Sequence, residues 1–586
     1  MDAVSSSSTA PPRTAGSLWS QLSEALRGSH RDLTEAPLGR AIFVLAVPMV
    51  LEMVMESVFA VTDIFFVGRL GAEAQATVGL TETMETMVYA LAFGLSIGAT
   101  SLVARRMGEK DEEAAARTAV QAIALGLIFG IPLSAAGAFF APDLLRAMGA
   151  SPWVLEHGVR FTRILLGANV SVCLLFLINA IFRGAGDAAT AMRALWLANG
   201  INIVLGPCLV FGVGPFPRMG VAGAAVATSI GRTSGVIYQL YRLTRGDGRL
   251  TVRWRHVALE ARTMLSVLRL SGAGTLQTVV GMTSWIVLVR IISQFGSEAV
   301  AGYTIAIRLV IFAILPSFGL ANAAATLVGQ NLGAKKPDRA EKAAWTAGGI
   351  GAIFLGTIGV IFIAAAPHIV GIFTNDPVVL GHGVRGLRII SAGFAFYAYG
   401  MTFTQSLNGA GATWAPTWLN GLCFWAFELP LAWVLADHGG LGTTGAFIAC
   451  FAAFSLFAVA SGAVFLGTVG LVFIAAAPQI VGIFTNDPVV LGHGVRGLRI
   501  ISAGFAFYAY GMTFTQSLNG AGATWAPTWL NGLCFWAFEL PLAWVLSVHA
   551  GLGTTGAFIA CLAAFSLLAV ASGAVFRRGH WKTVTV

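Results

Sequence analysis

The chain has 586 residues, 56% of them hydrophobic and 11% charged, with 70 glycines and a formal net charge of +9. No soluble domain of this length hides so much apolar surface, because surface grows too fast relative to core. The apolar residues come in runs of roughly 20 or more, each long enough to cross a hydrocarbon core of about 30 Å, which implies an all-α polytopic membrane protein.

Residues 1–35 are polar, Ser-rich and Pro-containing, and read as a disordered cytoplasmic tail. They lack the charged and apolar regions of a secretory signal. Within them "LWSQLSEAL" is either a short amphipathic helix lying on the membrane or a solvated helical turn. Spans follow at 41–68, 76–104, 117–141, 160–182, 190–213, 220–243, 266–294, 300–330 and 341–366. Six more follow at 384–408, 414–436, 442–478, 495–519, 525–547 and 553–576. Basic residues set the orientation. Arg105, Arg106 and Lys110 follow the second span, and Arg183 and Arg193 flank the turn after the fourth. Arg242, Arg245, Arg249, Arg253 and Arg255 follow the sixth, and Lys335, Lys336, Arg339 and Lys342 the eighth. These are all even-numbered loops, so the N-terminus is expected inside, in a bacterial-type cytoplasmic (inner) membrane. Topology thus accounts for the positive charge, and no nucleic-acid motif accompanies it. The six cysteines all lie in apolar runs without CxxC spacing and read as small core residues, not a disulfide or metal framework.

Two repeats organise the chain. Shifted by 225 residues it reads like itself: "FGLSIGATSLVARRMGEK" (93–110) lies over "FGLANAAATLVGQNLGAK" (318–335), and "SPWVLEHGVRFTRI" (151–164) over "DPVVLGHGVRGLRI" (376–389). Each unit holds six spans, an even number, so both enter the membrane in the same sense. The expected fold is two six-helix bundles related by a pseudo-twofold axis along the membrane normal, with a substrate cleft between them. The lobes are 36–245 and 266–465, joined by a cytoplasmic linker at 246–265. The second repeat is near-perfect: 355–465 recurs as 466–576 with nine differences in 111 positions. It adds about three duplicated helices, and a basic tail follows at 577–586. Its seam fuses two spans into the apolar run 442–478, over about 50 Å if wholly helical at ~1.5 Å per residue, and leaves the sense of the second copy open.

Ionisable groups inside spans are costly, roughly 2.5–3.5 kcal/mol each on insertion scales, so they are read first as functional. On the first span Glu56 falls about 40° and Asp63 about 20° from Glu52, so all three share one helical face. Glu82 and Glu85 share a face on the second. The alternative is that the outer ones snorkel or cap backbone. In the second lobe Glu52 corresponds to Gln277, Glu56 to Gly281 and Asp63 to Leu288, so ion coupling is expected in the first lobe. Arg308, near-equivalent to the Glu82–Glu85 patch, is either a gate partner across the cleft or a structural or snorkelling arginine. Glu428, with its twin Glu539, stands beside a proline among aromatics. It either binds a cation or satisfies backbone groups that Pro430 frees.

"LAVPMVLE" (45–52), "VTDIFFVGRLG" (61–71), "RGAGDAAT" (183–190), "NIVLGPCLVFG" (202–212) and "GVAGAAVAT" (220–228), in this order, resemble the multidrug and toxin extrusion (MATE) family over roughly 36–465. The resemblance implies a secondary antiporter that expels small cationic, amphipathic compounds in exchange for protons or sodium ions, with no other cofactor and no enzyme activity. It further implies a first-lobe cation site of Asp63, Asn202 and Thr228, with a second carboxylate that here falls on Gly206. That substitution weakens a dehydrated sodium site and leaves protonation of Asp63 intact, with Glu52 or Glu56 supplying the missing charge. Pro48 matches the proline at which the first helix bends in similar transporters. A monomer is expected. The alternatives are a flippase for a lipid-linked precursor, whose cleft should be basic, and an inactive product of the duplication. A membrane enzyme is disfavoured because no HExxH, GxSxG or histidine cluster appears in the spans.

Overall fold

The computed structural model of the chain describes residues 18–28, 32–246, 248–466, 478, 488–503 and 529–577. Among the described residues every regular element is helical, and 11 helices are long and apolar enough to cross a membrane. The first bundle is built from α2 (Leu38–Gly68), α3 (Ala72–Gly108), α4 (Glu112–Ala147), α5 (Val159–Gly167), α6 (Asn169–Ala185), α7 (Ala188–Phe211) and α8 (Val221–Arg245), after a short α1 (Leu18–Arg27). The second comprises α9 (Ala261–Ile292), α10 (Ser297–Gly333), α11 (Pro337–Gly371), α12 (Pro377–Ala392), α13 (Phe394–Gly409), α14 (Trp414–Asn420), α15 (Leu429–Trp433) and α16 (Thr443–Leu466).

Local sequence explains the breaks. "RGAGDAAT" ends α6 with Gly186 in the left-handed region (φ 86°) and starts α7 with Asp187, whose carboxylate accepts from the Thr190 amide at 3.1 Å. It is a stop–start signal between two spans, of the kind glycine and aspartate provide. The sixth expected span is helical as α8, but it is too polar to pass as a span because it carries Thr228, Ser229, Arg232, Thr233 and Ser234. The tenth is divided at Gly393 into α12 and α13. The fifth span of the second lobe carries two π-helical stretches, Gly421–Glu428 and Val434–His438, on either side of α15.

The two bundles meet through α2 against α10 and α3 against α9 and α10. The contacts obey the 225-residue repeat. A Cβ on Gly94 would stand 2.6 Å from the Thr275 nitrogen, and one on Gly319 would stand 2.6 Å from the Val50 nitrogen. Gly94 and Gly319 are repeat mates, and so are Val50 and Thr275. Backbone-to-backbone approach at both places admits only glycine, and the pair displays the pseudo-twofold directly. Further bonds cross the interface nearer the basic loops: Thr326 donates to the Arg183 carbonyl at 3.2 Å, and Gln330 to the Gly184 carbonyl at 2.9 Å. Toward the opposite end, Glu82, Thr83 and Met87 on α3 are exposed, as are Arg308 and Phe312 on α10. The bundles are joined at the basic end.

The N-terminal expectation is corrected for 18–28 and 32–35, which are ordered on the basic end and not a disordered tail. Glu24 pairs with Arg40, and Leu33 is buried beside α10 and α11. Asp32 accepts from the Thr34 amide and hydroxyl and lies 3.2 Å from Lys110. Lys336 in turn donates to the Thr34 carbonyl at 3.1 Å, so the segment touches both bundles.

The first copy of the recent duplication completes the second bundle: Phe394, Phe447, Cys450 and Phe454 share one core with Tyr303 and Val310. Of the second copy, α17 (Pro488–Ala503), α18 (Leu540–Trp544) and α19 (Thr554–Arg577) are described, and α19 packs on both of the others. They repeat the first copy's internal contacts. His493 meets Thr554 at 3.1 Å as His382 meets Thr443 at 2.9 Å. Trp529 and Trp536 stay exposed. Much of the seam and of the thirteenth expected span lies outside the described residues. Deleting 466–576 is therefore expected to leave ethidium efflux from cells intact, and abolished efflux would show that the second copy belongs to the working core.

Candidate functional site

The interior of the first bundle holds a polar column between α2, α3, α6, α7 and α8. At its base, Glu52 is fully buried, and its Oε1 accepts from Arg183 at 2.9 Å and Asn179 at 3.0 Å. Asn179 Oδ1 accepts from Gln239 at 2.6 Å, and Gln239 also donates to the Leu175 carbonyl. Burying a lone carboxylate would cost several kcal/mol, and the guanidinium with its amide neighbours offsets that. The second bundle fills the same position without charge. At the repeat mates of Glu52, Asn179 and Arg183 stand Gln277, Thr404 and Asn408. Acid and base are present together or absent together, as desolvation of an unpaired partner demands.

One turn further along α2, Glu56 is 20% exposed on its side chain. Asn199 donates to its Oε2 at 3.0 Å, and Arg232 Nη2 lies 3.7 Å from its Oε1. Arg232 is buried, donates to the Tyr89 hydroxyl at 2.9 Å, and sits 5.5–5.8 Å from the rings of Phe59, Tyr89 and Phe176. Glu85 is buried on the same stretch of α3 as Tyr89, and Glu82 is exposed one turn beyond. Above this level Asn202 donates to the Thr228 hydroxyl at 2.7 Å. Two of the three side chains implied by the family resemblance are thus in contact. Asp63 lies on α2, but its side chain is outside the described residues. Gly206 is buried facing α2, and among the described residues only the Phe66 ring lies within 4 Å of where a Cβ would be. Pro48 lies inside α2, which is one helix through it, and the backbone of the next two residues is where Gly319 packs.

Other expected members are elsewhere. Arg308 is exposed and, among the described residues, forms no ion pair with Glu82 or Glu85, so the gate pair is absent from this structure. Glu82 and Arg308 are both exposed, on helices of different bundles. Glu428 is 2% exposed, inside the second bundle near Cys450, Tyr303 and Tyr397, and is not a cleft residue here. Its twin Glu539 is half-buried in the second copy near Cys561. Gln277 is buried on α9, and among the described residues its Oε1 has no hydrogen-bond partner.

Sequence reasoning misses the two arginines. By position Arg183 reads as a loop charge, yet α6 carries it into the bundle interior. Arg232 lies in none of the family motifs, although it stands on the inward polar face of α8 with Thr228 and Gln239. The rule that flags the carboxylates, a charge inside a span, finds Arg232 as well when it is applied to bases.

The MatE family pattern matches residues 48–208, 274–434 and 451–545. A Thermotoga maritima protein described as "Probable multidrug resistance protein NorM" is 27% identical over 411 residues, 69% of this chain and 87% of that protein. An FAD transporter of Shewanella oneidensis is 26% identical over 417 residues, 68% of this chain and 88% of that protein. A crystal structure of MATE in complex with MaL6 has a TM-score of 0.69 at 26% identity, covering 75% of this chain and 96% of that one.

Proposed function

The chain belongs to the MatE family of transporters, and on that premise we propose that it is a secondary antiporter that exports cationic amphipathic compounds in exchange for protons. The observation that carries this reading is the column of carboxylates in the first bundle, with Glu56 partly exposed and Glu52 sealed beneath it. Desolvated carboxylates exchange a proton for another cation at little cost when the competing charge sits close by. Asp63, in the helical register of Glu52 and Glu56, is the main coupling carboxylate in this reading. Gly206 supplies no oxygen where similar transporters carry a second acid, which favours a proton over a sodium ion in need of several ligands.

By the positive-inside rule the closed, basic end is cytosolic, so the cleft faces outward. Protonation from outside neutralises the column, and bending of α2 at Pro48 would then let the glycine contacts at Gly94 and Gly319 part, in the manner of alternating access. An anionic cargo, as the name of the FAD transporter implies for that protein, suits this site poorly. Glu56, Glu82 and Glu85 outnumber Arg232 around it.

The test is ethidium efflux in membrane vesicles with proton and sodium gradients imposed separately. Wild type is expected to respond to the proton gradient, and Asp63→Asn to lose at least about tenfold in rate, as removal of a coupling acid should. Efflux unchanged in Asp63→Asn removes Asp63 from the mechanism, and efflux driven by sodium alone overturns proton coupling.

A further inference from the structure

The two ion pairs of the first bundle differ in a way that bears on cargo binding. Arg183 and Glu52 are closed on one another at 2.9 Å with both side chains buried. Arg232 and Glu56 stand 3.7 Å apart, and the carboxylate side is partly open. Arg232 Nη1 is buried and, among the described residues, has no hydrogen-bond partner. Its guanidinium already rests among the Phe59, Tyr89 and Phe176 rings, at 5.5–5.8 Å. A guanidinium keeps its charge at every working pH and rests favourably against aromatic faces, so it can leave a carboxylate without returning to water.

We propose that Arg232 is a tethered cation that holds Glu56 in the empty outward-open protein and must yield that carboxylate to cationic cargo. The proposal rests on the antiporter reading above and deepens it by naming the group the cargo displaces. Cargo binding at Glu56 breaks the 3.7 Å pair and leaves the guanidinium held by the rings and the Tyr89 hydroxyl, and departure of the cargo restores the pair, so the carboxylate is never left bare. Among the described residues the groups around Glu56 are Glu52 on its own helix, Glu82, Glu85 and Tyr89 from α3, Asn199 from α7 and Arg232 from α8, with Arg183 of α6 beyond Glu52. Arg308, on α10, is exposed. Arg232 is thus the nearest positive charge to Glu56 among these groups. It acts on cargo through Glu56 and is a positioning residue.

The experiment is fluorescence titration of purified full-length protein with ethidium, a permanent cation, at alkaline pH without any gradient. Arg232→Gln keeps a donor for Tyr89 but removes the competing charge. It is expected to bind ethidium roughly tenfold tighter than wild type, since a like charge is taken from the site. Arg232→Lys, which keeps the charge, is expected to bind like wild type. Equal affinity of Arg232→Gln and wild type overturns the proposal, as does Arg232→Lys behaving like Arg232→Gln. If Arg232→Gln does not purify as a single species, the double variant Glu56→Gln, Arg232→Gln is compared with Glu56→Gln alone. Equal affinities support action through Glu56, and a roughly tenfold difference overturns it. Wild type that binds no ethidium defeats the antiporter reading and this proposal together, whereas binding with no effect of Arg232 defeats this proposal alone.

Discussion

Arg183→Met is expected to destabilise the first bundle by about 3–5 kcal/mol, because it leaves the Glu52 carboxylate buried and unpaired. Glu52 is fully buried, and among the described residues only Asn179 would remain as donor, at 3.0 Å. In purified protein this should appear as a lost or much lowered thermal transition. The second bundle indicates the remedy. It carries Gln277 and Asn408 at the mates of Glu52 and Arg183, so the double variant Glu52→Gln, Arg183→Asn copies a solution the chain already uses. That double variant is expected to recover most of the lost stability, to within about 1 kcal/mol, since removing both charges avoids the desolvation cost of either. An Arg183→Met protein that melts like wild type would show that the pair is not holding the bundle.

Gly319→Leu is expected to lose transport by at least about tenfold, because overpacking a backbone-to-backbone contact forces the helices apart. The new side chain would begin 2.6 Å from Val50 on α2. Gly94→Leu should behave alike, since its side chain would begin 2.6 Å from the Thr275 nitrogen on α9. Both disfavour the state joined at the basic end. Gly272→Leu is the control, because among the described residues nothing lies within 4 Å of a Cβ there. Efflux measured for the three variants decides the matter: similar losses at 94 and 319 with none at 272 support the pseudo-twofold closure, and normal efflux for Gly319→Leu contradicts it.

The two-bundle plan is legible in the sequence because a 225-residue repeat and the length of the apolar runs each constrain it independently. Glu52 and Glu56 are legible as interior groups because the helical period places them together and charge inside a span is costly. Their partners are not. Asn179, Asn199, Arg183 and Arg232 come from three other helices, and no spacing along the chain reveals which helix turns which face inward. The same limit explains Arg308 and Glu428. Each is a charge inside a span, but the sequence does not say whether its helix face looks to the cleft, to the surface or to the core of its own bundle. The two near-identical copies cannot be ranked by sequence either. Packing separates them, since only one can occupy the cradle formed by α9, α10 and α11.

In the proposed mechanism cargo binding is linked to loss of a proton from the first-bundle carboxylates. The most direct measurement is the release of protons when ethidium is added to the purified protein in weakly buffered solution. On the order of one proton should be released per ethidium bound, as linkage between the two ligands requires, with a smaller release in Asp63→Asn; Glu56, paired with Arg232 in the empty protein, exchanges the guanidinium for cargo and not a proton. Ethidium binding with no proton released would contradict it.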